Sequence, residues 1–282
     1  MSIIQPGVLY IVATPIGNLD DITLRARDIL SEVDAIAAED TRHSRSLLNH
    51  LGINTPLFAV HDHNEEQKSQ SIIERLQRGE SIALISDAGT PLISDPGYRL
   101  VRAAHQAGQQ VCPIPGASAM VTALSVCGLA TDRFCFEGFL SAKSGTRRDQ
   151  LKKLTDESRT LIFYESSHRV VATLIDMVEI FGREREATLA RELTKKFETI
   201  KQSTLSDLQE FVAGDANQQK GEFVLLIAGE KAEQVGTLDS ESRRIVELLG
   251  NELPVKQASK LAAEITGRKK RELYQHLLGR EK

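Results

Sequence analysis

Polar residues gather wherever an apolar run of this chain ends. Residues 82–85 lead into Ser86-Asp87 and then into a loop containing Gly89, Pro91, Pro96 and Gly97. Glycine permits backbone angles that other residues resist, and proline fixes φ, so such a loop can be held close against a ligand. A carboxylate at a strand end suits a small-molecule site, although an ordinary strand-to-helix turn reads the same way. Residues 8–13 are followed by Thr14-Pro15-Ile16-Gly17-Asn18. That loop is neither Gly-x-Gly-x-x-Gly nor a phosphate loop, which disfavours pyrophosphate and with it dehydrogenase and kinase chemistry. Residues 35–38 end in Glu39-Asp40-Thr41-Arg42, residues 57–60 in His61-Asp62-His63-Asn64, and residues 110–114 in Pro115-Gly116-Ala117-Ser118-Ala119. Tyr164-Glu165-Ser166-Ser167-His168-Arg169 closes a strand of the second half and can face the same cleft.

Each cluster also has a structural reading. Asp40 or Thr41 can cap a helix, and Ser118 suits an N-cap better than a nucleophile because no Gly-x-Ser-x-Gly elbow surrounds it. His61 and His63 raise the possibility of a metal, but no metal site is expected there.

The elements that must carry these residues alternate. Strands are predicted over 8–13, 35–38, 57–60, 81–85 and 110–114, with amphipathic helices near 23–33, 41–51, 64–78, 98–107 and 118–128. That alternation implies βαβ units and a largely parallel sheet. Asn64 can cap the third helix, and Gly52, Gly79 and Gly108 can end theirs. After about residue 132 the predicted strands are 134–140, 160–164, 187–193, 199–204 and 222–228, with helices near 146–157, 167–181 and 206–213. A hairpin around 194–197 makes this second sheet mixed. Residues 230–240 read as a linker. The tail shows a helix over 254–267 closed by Gly267, then a second from Arg268 with Leu273, Leu277 and Leu278 as its apolar positions. Two short helices about a glycine, the second opening on four cations, fit a helix-turn-helix or a packing hairpin with a wet basic face.

The predicted organisation is therefore an α/β domain over 1–130, a second over 131–232 and a helical tail over 238–282. No apolar run approaches a membrane span, no signal-peptide pattern opens the chain, and Cys112, Cys127 and Cys135 lack metal-like spacing, so a cytoplasmic protein is expected. A net charge of −4 gives no global pull on nucleic acid, leaving that task to local patches. Residues 141–153 hold five Lys/Arg, Arg147 and Arg148 among them, against one Asp, and residues 251–282 hold eight Lys/Arg against four Glu.

Five segments taken in order resemble the 16S ribosomal RNA cytidine 2′-O-ribose methyltransferases of the tetrapyrrole-methylase-like superfamily. They are Thr14 to Leu19, Ala38 to Arg42, Ser86 to Pro91 with Asp95-Pro96-Gly97, Pro115-Gly116, and Phe163 to Ser166 with His168-Arg169. The resemblance runs from about Gly7 to the C-terminus. It implies S-adenosylmethionine in a cleft between two α/β domains, a homodimer, and a decoding-centre cytidine of the small ribosomal subunit as target. It places the cofactor against Pro15, Gly17, Asp87, Ala88, Gly89, Thr90, Ser118 and Ala119, with Tyr164 and Ala228 from the second domain. A sulfonium carries positive charge and no phosphate, so Asp87 with apolar walls would suit it. Base candidates for the ribose hydroxyl are Glu165, His61, Asp40 and Glu39, in falling order. Arg42 and Arg169 could hold phosphates, with Arg147, Arg148, Arg268, Lys269, Lys270 and Arg271 on the RNA. Two alternatives stay open: a small-molecule methylase of the same fold, and a metabolite-sensing DNA-binding regulator.

Overall fold

The computed structural model describes residues 4–61, 65–230, 238 and 240–279. The first half forms one sheet from β1 (Val8–Val12), β2 (Ala35–Ala38), β3 (Leu57–Ala59), β4 (Ile82–Ile85) and β5 (Gln110–Ile114). Its order is β3-β2-β4-β1-β5, and every pairing is parallel. Parallel strands need crossovers, which here are α1 (Leu24–Glu32), α2 (Thr41–His50), α3 (Glu65–Gln77) and α4 (Tyr98–Gln106). Tyr10, Ile36 and Ile85 pack with Leu30 and Leu48 on one face, while Leu9, Ala37 and Leu84 pack with Ile72 and Leu100 on the other. Both faces are covered, which is why the central strands read as unbroken apolar runs.

The second sheet comprises β6 (Phe134–Phe139), β7 (Thr160–Ser166), β8 (Glu186–Arg191), β9 (Thr199–Thr204) and β10 (Glu222–Ile227), in the order β6-β7-β10-β8-β9. Only β6 and β7 run parallel; β10 lies antiparallel to both β7 and β8, and β9 antiparallel to β8. One face buries Leu161, Phe163 and Leu225 against α7 (Val170–Phe181) and α8 (Leu205–Gly214), flanked by α6 (Ser144–Lys152). The other face presents Ile162, Ala190, Val224 and Leu226 to Ala123, Leu124 and Cys127 at the end of α5 (Ala119–Val126). Thus α5 follows the first sheet in the chain but packs on the second. Thr188 Oγ1 fixes the contact, donating to the Cys127 carbonyl at 2.6 Å.

Among the described residues the tail has three helices where the sequence suggested two. Before α10 (Val255–Thr266) and α11 (Lys270–Gly279) stands α9 (Ser240–Glu252), and Val246, Ala258, Ala262, Leu273 and Leu277 share one core. A pair of short amphipathic helices leaves apolar stripes open, and α9 closes them. Gly267 ends α10 in the left-handed conformation at φ 70°, as expected.

Smaller differences concern ends. The cap of α2 is Asp40, not Thr41; its Oδ1 accepts from the Arg42 N–H at 2.8 Å. Helix α6 spans 144–152 rather than 146–157, and β7 runs on to Ser166. The cap expected at Asn64, with His63, lies outside the described residues, as does most of the linker expected over 230–240. Among the described residues, no helix is long and apolar enough to cross a membrane.

Candidate active site

The loops after β1, β4 and β5 are bound to one another. Thr14 and Gly89 exchange backbone hydrogen bonds at 2.8 and 3.1 Å, and the Thr90 hydroxyl donates to the Ala117 carbonyl at 3.0 Å. Close approach explains Gly116, where a Cβ would stand 2.9 Å from that of Ala13. Gly97 sits at φ 127°, with an added Cβ falling 2.8 Å from Leu84 Cδ2. Leu92 and Ser94 occupy left-handed conformations at φ 74° and 69° between these anchors. Such strain persists only where the surroundings over-determine the backbone, and it clusters at ligand sites. The loop then enters α4, whose first turn receives the buried carboxylate of Glu65: Oε1 accepts from the Arg99 and Leu100 N–H groups at 2.8 and 3.1 Å.

The second sheet supplies the opposite wall. Because β10 runs against β7, Glu222 pairs with Ser166 and Val224 with Tyr164, so the start of one strand lies beside the end of the other. The Tyr164 hydroxyl accepts from the Met120 N–H at 3.1 Å, and its ring meets Phe136 and Phe139 edge-on at 4.9 and 5.6 Å. Burial raises its pKa. A third strand of contact comes from the β8–β9 connection: Thr194 Oγ1 accepts from the Asn18 N–H at 3.1 Å.

Between these walls lies a cavity of about 460 Å³. Five carboxylate residues border it (Glu39, Asp87, Asp95, Glu165 and Glu222), together with Phe139 and Tyr164; among the described residues its lining contains no Lys, Arg or His. Asp87 Oδ1 accepts the Asp40 N–H at 3.1 Å, which ties the ends of β2 and β4 together. The donor set is anionic, aromatic and backbone-rich. It suits a small organic cation and offers nothing to balance a phosphate.

Of the residues that the resemblance sets against a cofactor, Asp87, Ala88, Gly89, Thr90, Ser118, Ala119 and Tyr164 border the cavity. Pro15 is buried behind the loop whose Ile16 forms part of the wall. Gly17 serves the contact between the halves: a Cβ there would come within 2.5 Å of Lys195 Cγ. Ala228 is a correction. It follows the far end of β10, where Ile227 pairs with Leu161 at the start of β7, and Gly221 to Val224 stand in the place expected for it.

The base candidates separate clearly. Glu165 borders the cavity, but its carboxylate is turned to the helical face, as strand alternation requires of the residue after Tyr164. There Oε2 accepts from the Thr173 hydroxyl at 2.6 Å, and Oε1 accepts from Arg169 Nε at 2.9 Å. Asp40 is held by the Arg42 guanidinium, which lowers its pKa to about 2. His61 follows β3 and is not part of the lining, whereas Glu39 is.

Among the expected RNA contacts, Arg147 is a second correction. It is 3% exposed, and its Nε bonds Asp176 Oδ2 at 2.7 Å in the second half's own core. Arg148 is paired with Glu179, Arg169 with Glu165, and Arg42 with Asp40, although the Arg42 side chain remains 90% exposed. Lys269, Lys270 and Arg271 lie exposed at the start of α11, with Arg268 half-buried beside them.

Residues 8–209 match the family model described as Tetrapyrrole (Corrin/Porphyrin) Methylases, and residues 236–281 match that of the RsmI C-terminal HTH domain. The chain is 56% identical over 270 residues to a Ribosomal RNA small subunit methyltransferase I of Pasteurella multocida, covering 96% of each. Proteins with the same name from Pseudomonas aeruginosa and Synechocystis are 55% and 49% identical, over 98% and 95% of this chain and 98% and 96% of theirs. Among solved structures, a uroporphyrin-III-C-methyltransferase from Thermus thermophilus superposes with TM-score 0.57 at 20% identity, covering 79% of this chain and 94% of that one. A diphthine synthase superposes with TM-score 0.61 at 17% identity, over 78% and 90%. These last two likenesses concern the fold alone.

Proposed function

Because this chain belongs to the tetrapyrrole methylase family and is a methyltransferase, we propose that it methylates small-subunit ribosomal RNA at the 2′-hydroxyl of a decoding-centre cytidine. The methyl donor in this reading is S-adenosylmethionine, and the enzyme works in the cytoplasm as a homodimer. The observation that carries the donor assignment is the cavity itself: carboxylates and aromatic rings border it and, among the described residues, no cationic side chain does. The names of the full-length relatives support the RNA. The exposed cations at the start of α11 give the tail a face for phosphates, which a purely small-molecule methylase does not need.

S-adenosylmethionine supplies, when bound, a methyl carbon on a positively charged sulfur. Asp87 and Asp95 would balance that charge, the faces of Phe139 and Tyr164 would attract it, and the backbone of Ala88 to Thr90 would hold the polar ends. The bonded loops after β1, β4 and β5 keep these groups fixed, so the site contributes alignment of the hydroxyl oxygen with the methyl carbon. Glu39 is the proton acceptor in this reading, since it borders the cavity on a strand end adjoining Asp87.

The test incubates the protein with S-adenosylmethionine and small ribosomal subunits that lack the modification. A 2′-O-methylcytidine at the decoding centre is expected. Methylation elsewhere, or none, overturns the target. Glu39→Gln should lower kcat by ~10²-fold or more with donor affinity retained, as for loss of a general base.

A further inference from the structure

The seven residues joining β8 to β9 read Glu192-Leu-Thr-Lys-Lys-Phe-Glu198. This connection is pinned from several sides. Glu192 and Thr194 hold left-handed conformations at φ 52° and 63°, and the Thr194 N–H donates to Glu198 Oε2 at 2.7 Å. Lys195 Nζ lies 3.0 Å from Glu192 Oε1 and 2.8 Å from Glu222 Oε2, the latter on a residue bordering the cavity. Leu193 is buried in the cavity wall, and Arg191 Nη1 donates to the Phe197 carbonyl at 3.0 Å.

At the tip of this rigid connection, Phe197 is 64% exposed. The Lys196 ammonium stands 5.5 Å from its ring centroid. Phe197 is four residues from Leu193, which lines the cavity, so no more than about 14 Å of chain separates the two. A single exposed apolar residue is ordinary. An aromatic face with an adjoining cation, on the same pinned connection that gives Leu193 to a cavity whose described lining lacks cations, is a specific combination.

We infer that Phe197 and Lys196 form a stacking platform for an unpaired RNA base next to the methylated nucleotide. The inference rests on the RNA reading given above. A ribose hydroxyl inside a structured RNA must be brought to the cavity with its nucleotide displaced from its neighbours, and a flanking base then needs a surface to replace the lost stacking. The ring supplies the π-face and Lys196 meets the adjoining phosphate, the pairing that single-strand binders use. The neighbouring lysines also argue against a second copy of this chain as the occupant, because lysine is depleted at protein–protein interfaces.

The experiment compares wild type, Phe197→Ala and Phe197→Trp. With unmodified small ribosomal subunits as substrate, Phe197→Ala should raise KM for the subunit roughly tenfold, within the roughly 5- to 150-fold range for loss of one stacked base. The change should fall on KM rather than kcat, S-adenosylmethionine affinity by calorimetry should not move, and Phe197→Trp should restore KM. An unchanged KM, or an equal loss of donor affinity, overturns the platform. So does a fall in the sedimenting mass of Phe197→Ala, which would show that the ring covers a second copy. A short single-stranded RNA carrying 2-aminopurine gives an arm that needs no turnover. Wild type should quench its fluorescence and Phe197→Ala should not; equal quenching, or none, sinks the proposal. If subunits are not methylated while the quench is lost in Phe197→Ala, the target assignment fails and the platform stands.

Discussion

The two sheets furnish one cavity by different means. The parallel sheet gives it loops: its strands all point the same way, so their carboxyl ends and following turns meet along one edge, where Asp87 to Thr90 and Ser118 lie. The mixed sheet gives it a face and a junction. Val224 and Ala190 present their side chains directly, and the end of β7 joins the beginning of β10 through Tyr164 and Glu222. The first wall thus depends on backbone conformation, and the second on strand direction and on which side each residue faces.

The largest effect should come from the layer that supports the second wall. Asp176→Ala leaves the Arg147 guanidinium buried without its carboxylate, and stability should fall by about 3–5 kcal/mol in chemical denaturation. The corresponding weak point of the first wall is backbone: Gly97→Val forces a β-branched residue to φ 127° against Leu84, costing roughly 1–3 kcal/mol of strain and disturbing donor binding measured by calorimetry. Val224→Phe probes the second wall by overfilling the cavity, with donor affinity expected to fall roughly tenfold or more, whereas Ala228→Ser at the other end of β10 should leave it unchanged. Similar effects at both positions would mean that strand direction does not decide the wall. Asp87→Asn, on the first wall, should weaken the donor by roughly tenfold without unfolding the protein.

The smallest effect belongs to Asp40. Its folded pKa of about 2 lies below the ordinary 3.8, so the stabilising Arg42 contact is complete above the ordinary value and is lost as pH falls through 2. Asp40→Asn keeps a competent cap and should leave the pH–rate profile between about pH 5 and 8 unaltered. A shifted profile would return Asp40 to the proton transfer.

The same contrast governs what could be read from the chain. In a parallel sheet each strand end is a ligand edge, so the place of Asp87, Gly89 and Ser118 at that edge is legible from local pattern. In the mixed sheet the direction of β10 depends on a pairing 56 residues away in sequence, between Glu222 and Ser166. Ala228 was therefore expected where Gly221 to Val224 stand. The side faced by Glu165 was equally hidden: Ile162 and Phe163 are both buried, since helices cover both faces, and alternation carries no polar signal there. Arg147 looks like any cation of a basic helix until Asp176 is folded against it.

The stoppered start of α4 has a consequence for selectivity. A helix that opens beside a glycine-rich loop ordinarily offers its amide groups and positive dipole end to an anion. Here Glu65 has already claimed the Arg99 and Leu100 amides, so the molecule carries its own counter-ion where such a helix start would otherwise receive one from solution. A free anion thereby meets amides that are already occupied at this helix start, and that turn selects against it before any ligand arrives.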